Sequence, residues 1–251
     1  MENNTQRFSN RVNDYVKYRP AYPAEIIPFL EQAIRLRKDS VIADIGSGTG
    51  IFAKNFLDYG NTVYAVEPNT AMRHKAEELL QEYSNFISIN GTAEQTNLQD
   101  GAADLVTAAQ AFHWFDVPKT KAEFKRILKP GGYCCLVWNE RHTTSSFEQA
   151  YEQLLFDYSL DYSKVDHKNI NDKIIADFYA PAQFIKQSFG NKQVFDFESL
   201  KGRLLSSSYA PGKDHPKHNA MIESLRKIFG RFNQNNTIEF RYDTKLYVGR
   251  L

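Results

Sequence analysis

The stretch Val41-Ile42-Ala43-Asp44-Ile45-Gly46-Ser47-Gly48-Thr49-Gly50 constrains the fold of this chain more than any other. Five residues, apolar but for one acid, read as a buried strand. The glycines that follow allow a tight turn into a helix carrying Phe52, Phe56 and Tyr59. Gly60-Asn61 ends that helix. The alternation then repeats. Thr62–Val66 is a second strand, and Met72, Ala76, Leu79, Leu80 and Tyr83 recur at helical spacing. Phe86–Ile89 and Asp104–Ala108 are a third and a fourth strand. Asp116 is placed to cap a helix running to Lys129, and Pro130-Gly131-Gly132 separates that helix from a fifth strand, Tyr133–Trp138. Strands parted by helices predict a doubly wound, mostly parallel α/β sheet, because right-handed crossovers put helices on both faces.

The flanks carry other patterns. Residues 5–34 read as mostly helical, broken at Pro20, Pro23 and Pro28. Residues 146–160, with Phe147, Tyr151, Leu154 and Leu155, and 216–232, with Met221, Leu225 and Phe229, read as amphipathic helices. A strand or a pair of strands falls within 183–197. Near the C-terminus Ile238, Phe240, Tyr242, Leu246 and Val248 share one face, and Glu239, Arg241, Asp243 and Lys245 the other. That alternation suits an antiparallel strand with one face covered.

Composition narrows the function classes. A chain of 251 residues can build a sizeable core without staples. Lys and Arg number 31 and Asp and Glu 30, so the net charge of +1 gives no footprint for duplex nucleic acid or an anionic membrane. No apolar run approaches the ~18 residues of a membrane span. The N-terminal Met-Glu-Asn-Asn-Thr-Gln has neither a basic head nor an apolar stretch, so a cytoplasmic location is expected. Cys134 and Cys135 sit side by side in an apolar run and read as buried strand residues. His167, His215 and His218 have no metal-ligand spacing, and no metal is expected.

Ligands of an open α/β sheet bind beyond the carboxyl ends of its strands. The loop Gly46-Ser47-Gly48-Thr49-Gly50 has the spacing G-x-G-x-G, not the dinucleotide G-x-G-x-x-G, and no G-K-[ST] makes it a P-loop. It need not hold a pyrophosphate. Glu67 ends the second strand 21 residues after Gly46, where a carboxylate can accept both ribose hydroxyl hydrogens. Gly91-Thr92-Ala93-Glu94 follows the third strand, and Ala109-Gln110-Ala111-Phe112-His113-Trp114 the fourth. Four consecutive strand ends thus carry small or polar residues suited to one nucleoside.

Together these stretches resemble the class I S-adenosylmethionine-dependent methyltransferases of the kind often called methyltransferase type 11. VIADIGSGTG, AVEPN, INGTAE, DLVTAAQAFHWF and FKRILKPGGY match in order and spacing over about residues 40–138. VNDYVKYRPAYP and AFHWFD are similar to the branch that includes trans-aconitate methyltransferase. The resemblance implies a Rossmann-like fold of seven strands with an antiparallel C-terminal strand, in a single domain over 1–251. Its parts would be an N-terminal helical lid segment (1–39), a cofactor-binding core (40–138), lid and substrate helices with a sixth strand (139–236) and the last strand (237–251). The implied cofactor is S-adenosyl-L-methionine, leaving as S-adenosyl-L-homocysteine. Gly46, Gly48 and Gly50 would pass beneath its methionine and ribose portions, and Asp44 would face its ammonium. Glu67 would hold the ribose hydroxyls, while Pro68 and Met72 would touch the adenine face. Ala93 and Glu94 would meet the adenine edge, with Ala109 and Gln110 near the methionine portion and Arg19 at its carboxylate. Thr92 stands where many relatives carry Asp, so the base contact passes to Glu94 or to backbone groups.

For the acceptor, His113 could orient or deprotonate a nucleophile or bind a carboxylate, or it could be a packed histidine. Trp114 and Trp138 suit either core or pocket wall, and a sulfonium gains from aromatic faces. Arg141 and Arg203 are the cations that could pair with an acidic acceptor, since burying an unpaired carboxylate is costly. The expected activity is methyl transfer to a small molecule, a carboxylate oxygen among the candidates, by a monomer or homodimer that uses neither nucleic acid nor membrane. The alternatives are a non-catalytic or regulatory cofactor-binding protein, a methyltransferase of proteins, and a nicotinamide-dependent oxidoreductase, against which the loop spacing counts. Of the 34 aromatic residues only six fall within 41–110. The others mark segments expected to close an aromatic-walled acceptor site.

Overall fold

Each apolar run between residues 41 and 138 becomes a strand of one sheet. The strands are β1 (Val41–Ile45), β2 (Thr62–Val66), β3 (Phe86–Ile89), β4 (Ala103–Ala109), β5 (Leu128–Arg141), β6 (Phe184–Phe195) and β7 (Ile238–Gly249). The computed structural model describes residues 12–160, 162 and 172–251. Residues 5–11 of the expected N-terminal helical segment, residues 161 and 163–171 of the expected lid, and His167 lie outside the described residues.

The strands lie in the order β3-β2-β1-β4-β5-β7-β6. β1 to β5 pair in parallel, and β7 runs antiparallel between β5 and β6. The chain thus winds outward from β1 through β2 and β3, then returns to place β4 against the other side of β1. That reversal opens a crevice above the carboxyl ends of β1 and β4, the switch point of a doubly wound sheet.

Successive residues of β1 face opposite layers, as the twofold period of a strand requires. On one side, α2 (Ile26–Ile34) and α3 (Ala53–Tyr59) bury Ile26, Leu30 and Phe56 against Ile42, Val63 and Leu105. On the other, α5 (Val117–Ile127) and α7 (Asp172–Tyr179) bury Phe124 and Phe178 against Ala43, Val106 and Cys134. A third apolar cluster joins α6 (Ser146–Tyr158), α8 (Phe197–Leu205) and α9 (His218–Phe232) to Ile238, Phe240 and Tyr242 of β7. Much of the aromatic excess is spent there: Tyr151 meets Phe240 edge to face at 4.9 Å. α4 (Thr70–Leu80) and α1 (Val12–Tyr18) flank the crevice.

Caps fix where the helices start. The Asn69 side chain accepts from Met72 N at the head of α4, and that of Asp116 from Lys119 N at the head of α5. Ser145 and Glu148 form a reciprocal capping box before α6. Gly60 ends α3 at φ 110°.

Two readings of the sequence are corrected. Pro28 does not break a helix. It is the third residue of α2, where an N–H would lack an intrahelical partner in any case. The helix expected to reach Lys129 stops at Ile127, because Leu128 already pairs with Ala103 and opens β5; the register then shifts across Pro130-Gly131. The region 183–197 holds one strand, the first of the two arrangements expected there, and its partner along the whole length is β7.

Candidate functional site

The loop after β1 takes its shape from residues without a Cβ. Gly46, Gly48 and Gly50 have φ of 67°, 58° and 80°, a region that favours glycine. A methyl group on Gly46 would lie 2.7 Å from the Ala111 Cβ, and one on Gly50 would lie 2.5 Å from Leu80. Gly50 therefore lets the loop settle on α4, whereas Gly46 and Gly48 line the crevice itself. The loop turns its amides inward. Gly46 N and Ser47 N both donate to Val66 O (2.9 and 3.2 Å), Gly48 N to Glu67 Oε2 (2.9 Å) and Gly50 N to Ser47 O (2.9 Å).

Two carboxylates face this loop. Asp44, on β1, is 1% exposed; its Oδ1 accepts from Thr107 Oγ1 at 2.7 Å, and its Oδ2 has no hydrogen-bond partner among the described residues. Burial pushes its carboxyl up to about 7; the Thr107 hydrogen bond offsets part of that push, and the nearby Glu67 charge adds to it. Glu67, at the end of β2, is held at both oxygens, Oε2 by Gly48 N and Oε1 by Asn69 N (2.8 Å). Burial raises its carboxyl as well, and the two amides offset part of the rise.

One half of the crevice collects most of the residues singled out for a nucleoside. Gly46, Gly48, Glu67, Pro68, Met72, Thr92, Ala93, Glu94, Ala109 and Gln110 line it together, along with Trp114 and Phe115. Thr92 Oγ1 is engaged by Gln95 N at 3.2 Å. Glu94 Oε1 accepts from Asp116 N at 2.9 Å, which ties the loop after β3 to the one after β4. Gln110 sits at φ 53°, pinned by its own amide on Val137 O (2.9 Å) and by its Nε2 on Asn139 O (3.0 Å).

The other half continues past Gln110 and Ala109 to Asp44, Arg19 and Arg203, beneath α1. Tyr15 lines both halves. The approach of α1 to α8 depends on Gly202, where a Cβ would lie 2.0 Å from the Tyr18 ring. Next to that glycine, Arg203 is 6% exposed and reaches Tyr242 Oη (3.4 Å) and Ser207 Oγ (3.3 Å). Arg19 donates to Ser206 O at 3.1 Å and stacks 4.9 Å from the Tyr15 ring. Neither arginine pairs with a carboxylate among the described residues. Burial, and then the charge of Arg203, lower the pKa of Arg19.

The remaining acceptor residues lie elsewhere. Trp138 is 5% exposed and packs edge to face on Phe112 and Tyr247 in the core. Arg141 is ion-paired with Glu152, donates to Tyr162 Oη at 3.0 Å and stacks over Tyr151. His113, in the short 3-10 turn Phe112–Trp114, packs 4.7 Å from the Trp114 ring, on the flank of the nucleoside half. None of these three lines either half of the crevice. Tyr15 belongs to the aromatics of the segment expected to close the acceptor site, whereas neither Tyr15 as a wall of both halves nor Asn139 is singled out by the sequence. An asparagine closing the apolar run Cys134–Trp138 was the available signal for the second. Among the described residues, no helix is long and apolar enough to cross a membrane.

Comparisons with known proteins fit this geometry. Residues 43–136 match the family model described as a methyltransferase domain. An uncharacterized methyltransferase of Mycobacterium tuberculosis is 37% identical over 134 residues, 53% of this chain and 52% of that protein. The chain thus spans about half the length of such relatives. An uncharacterized methyltransferase-like protein of Schizosaccharomyces pombe is 25% identical over 244 residues, 96% of this chain and 93% of its own length. The structure of a candidate type II methyltransferase from Anaeromyxobacter dehalogenans shares the fold. Its TM-score is 0.69 at 20% identity, covering 93% of this chain and 98% of that one.

Proposed function

We propose that this chain, whose residues 43–136 match the methyltransferase-domain family model, uses S-adenosylmethionine to methylate a small acid held under α1. The observation that carries the cofactor reading is Asp44: a buried carboxylate oxygen with no hydrogen-bond partner among the described residues, at the mouth of the glycine loop. Leaving such a group unsatisfied costs several kcal/mol by itself, and a cationic ammonium offsets that cost. The residues present fit the whole cofactor. Asp44, in the half that lies under α1, would hold the ammonium, Glu67 the ribose hydroxyls, and Pro68 with Met72 the adenine face; Gly46 and Gly48 leave the room that a Cβ would fill. A dinucleotide fits poorly. Four amides of the loop are already spent on protein acceptors, and the Glu67 carboxylate lies against Gly48 where a pyrophosphate would need donors.

Bound S-adenosylmethionine supplies a methyl group on a sulfonium, whose departure as a neutral thioether needs no acid. The protein therefore has to position the acceptor and exclude water. Tyr15 and Gln110 stand where the two halves meet and would set that approach. Arg203 supports an acidic acceptor: it is a buried guanidinium facing the crevice, bonded to hydroxyls and to no carboxylate among the described residues. It sits in the last turn of α8, where the helix dipole already favours its positive charge. A carboxylate acceptor is ionised at neutral pH and gives up no proton, so no general base is required. The segment that supplies Tyr15 and Arg19 belongs to VNDYVKYRPAYP, the stretch that supports the trans-aconitate methyltransferase-like branch.

The test is a panel of small carboxylic acids, phenols and amines, with S-adenosylhomocysteine formation as the readout. Turnover confined to acids, and lost in Arg203→Met with cofactor affinity kept, is the expected result. Turnover of phenols or amines, with acids inert, overturns the acceptor class.

A further inference from the structure

The segment Arg19–Tyr22 leaves α1 and crosses the acceptor half of the crevice without regular secondary structure, and its carbonyls and that of Tyr18 are held by side-chain amides from three elements. Gln193 Nε2 donates to Tyr18 O (3.2 Å), and Asn55 Nδ2 to Tyr22 O (3.3 Å). Asn191 Nδ2 and Asn139 Nδ2 both donate to Ala21 O, at 2.7 and 3.3 Å. Backbone carbonyls carry no sequence information, so nothing in residues 18–22 announces these contacts.

Asn139 differs from the other three. It is 4% exposed at the carboxyl end of β5, and each of its polar groups has a different client. Its Nδ2 holds the strap. Its Oδ1 accepts from Thr244 Oγ1 of β7 and from Asn191 Nδ2 of β6 (3.1 Å). Its main-chain carbonyl takes the Nε2 of Gln110, which lines both halves of the crevice. We infer that Asn139 is a positioning residue that latches the Arg19–Tyr22 strap and couples it to Gln110, so that filling the nucleoside half tightens the roof of the acceptor half. The inference rests on the cofactor reading above for its second clause only; the latch is a property of the free protein.

The coupling follows from connectivity. Gln110 is held at positive φ by two hydrogen bonds to β5, one to Val137 O and one to Asn139 O. A ligand packed on Gln110 restricts its side chain, and that side chain shares the residue whose amide holds the strap. Two sites that bias one such element are linked reciprocally.

Hydrogen exchange across Arg19–Tyr22, without ligand and with S-adenosylhomocysteine, tests this in the full chain. Asn139→Asp removes the donor to Ala21 O when ionised and keeps the acceptor for Thr244 and Asn191. Thr244→Val perturbs the same residue from the far side without touching the strap. The wild-type strap is expected to gain protection on adding S-adenosylhomocysteine. In Asn139→Asp at pH 8 exchange there should rise about tenfold in the free protein, and the ligand should bind about tenfold more weakly. Lowering the pH protonates the introduced carboxyl, restores a donor and should recover part of the protection, which a merely structural defect would not do. Thr244→Val should leave strap exchange near wild type. Equal strap exchange in both variants, or unchanged protection in Asn139→Asp, overturns the latch. A latch that responds as described in a protein that binds no S-adenosylhomocysteine overturns the coupling and the cofactor reading, and leaves the latch standing.

Discussion

Thr107 Oγ1 donates a 2.7 Å hydrogen bond to Asp44 Oδ1 and leaves Oδ2 of the same carboxylate without a partner among the described residues. The bond crosses from β4 to β1, at the switch point of the sheet. The free protein bears the cost: with its carboxyl pushed up to about 7, Asp44 binds a proton in the folded chain at pH values where the unfolded chain has released it. Its contribution to stability therefore falls as pH rises from about 4 to about 7.

Asp44→Asn should raise the melting temperature of the ligand-free protein at pH 8, because Asn keeps an acceptor for Thr107 and removes a buried charge. The same change should weaken S-adenosylhomocysteine binding by at least about tenfold. In the wild type, affinity should improve as pH rises through 7, and the variant should lack that step. Thermal melts and calorimetric titrations between pH 5.5 and 8.5 measure both. A variant that is less stable than wild type at pH 8 contradicts the assignment.

Glu67 is fixed from both sides by Gly48 N and Asn69 N. Glu67→Gln turns an amide NH2 toward one of those N–H donors and breaks one of the two bonds. Cofactor affinity should fall about ten- to hundredfold, with a loss of stability of only about 1 kcal/mol. Equilibrium binding and urea melts separate the two effects.

Gly202→Ala places a methyl 2.0 Å from the Tyr18 ring, so α1 must lift from α8. The melting temperature should drop by about 5 °C, as overpacking of this kind costs ~2 kcal/mol. Gly190→Ala, with nothing within 4 Å of its added methyl, is the matched control and should change little.

Arg141 and Arg203 should part company under substitution. The buried Arg141–Glu152 pair, with side chains 10% and 13% exposed, is a structural element of the third cluster. Arg141→Met strands a carboxylate and should cost about 3 kcal/mol; adding Glu152→Gln should recover part of it. Arg203→Met strands no carboxylate and should raise the KM for an acidic acceptor with a smaller loss of stability. Chemical denaturation of both variants decides between them.

His113 packs on Trp114 outside both halves of the crevice, so His113→Ala should slow turnover of an acidic acceptor without abolishing it. Complete loss with both ligands still bound would instead make it a base.

Much of the nucleoside half was legible because parallel strands buried on both faces read as apolar runs, and the glycines and acids that end them stand out. Asp44 is the one acid in Val41–Ile45, and Glu67 the first after Val66. The acceptor half was harder to read. Gly202 and Asn139 matter through partners 184 and 118 residues away, which no local pattern encodes. Arg141 looked as available as Arg203 until Glu152 turned out to face it. Pro130-Gly131-Gly132 looked like an interruption before a strand, and only pairing with β4 shows that β5 runs through it.

What fills the crevice between Asp44 and Glu67 decides the chemistry of the site. Calorimetric titration of the purified chain with S-adenosylhomocysteine and, separately, with NAD measures this directly. One equivalent of S-adenosylhomocysteine bound, its affinity lost in Asp44→Ala, with no heat from NAD, is the predicted result. Binding of NAD with no response to S-adenosylhomocysteine would contradict it.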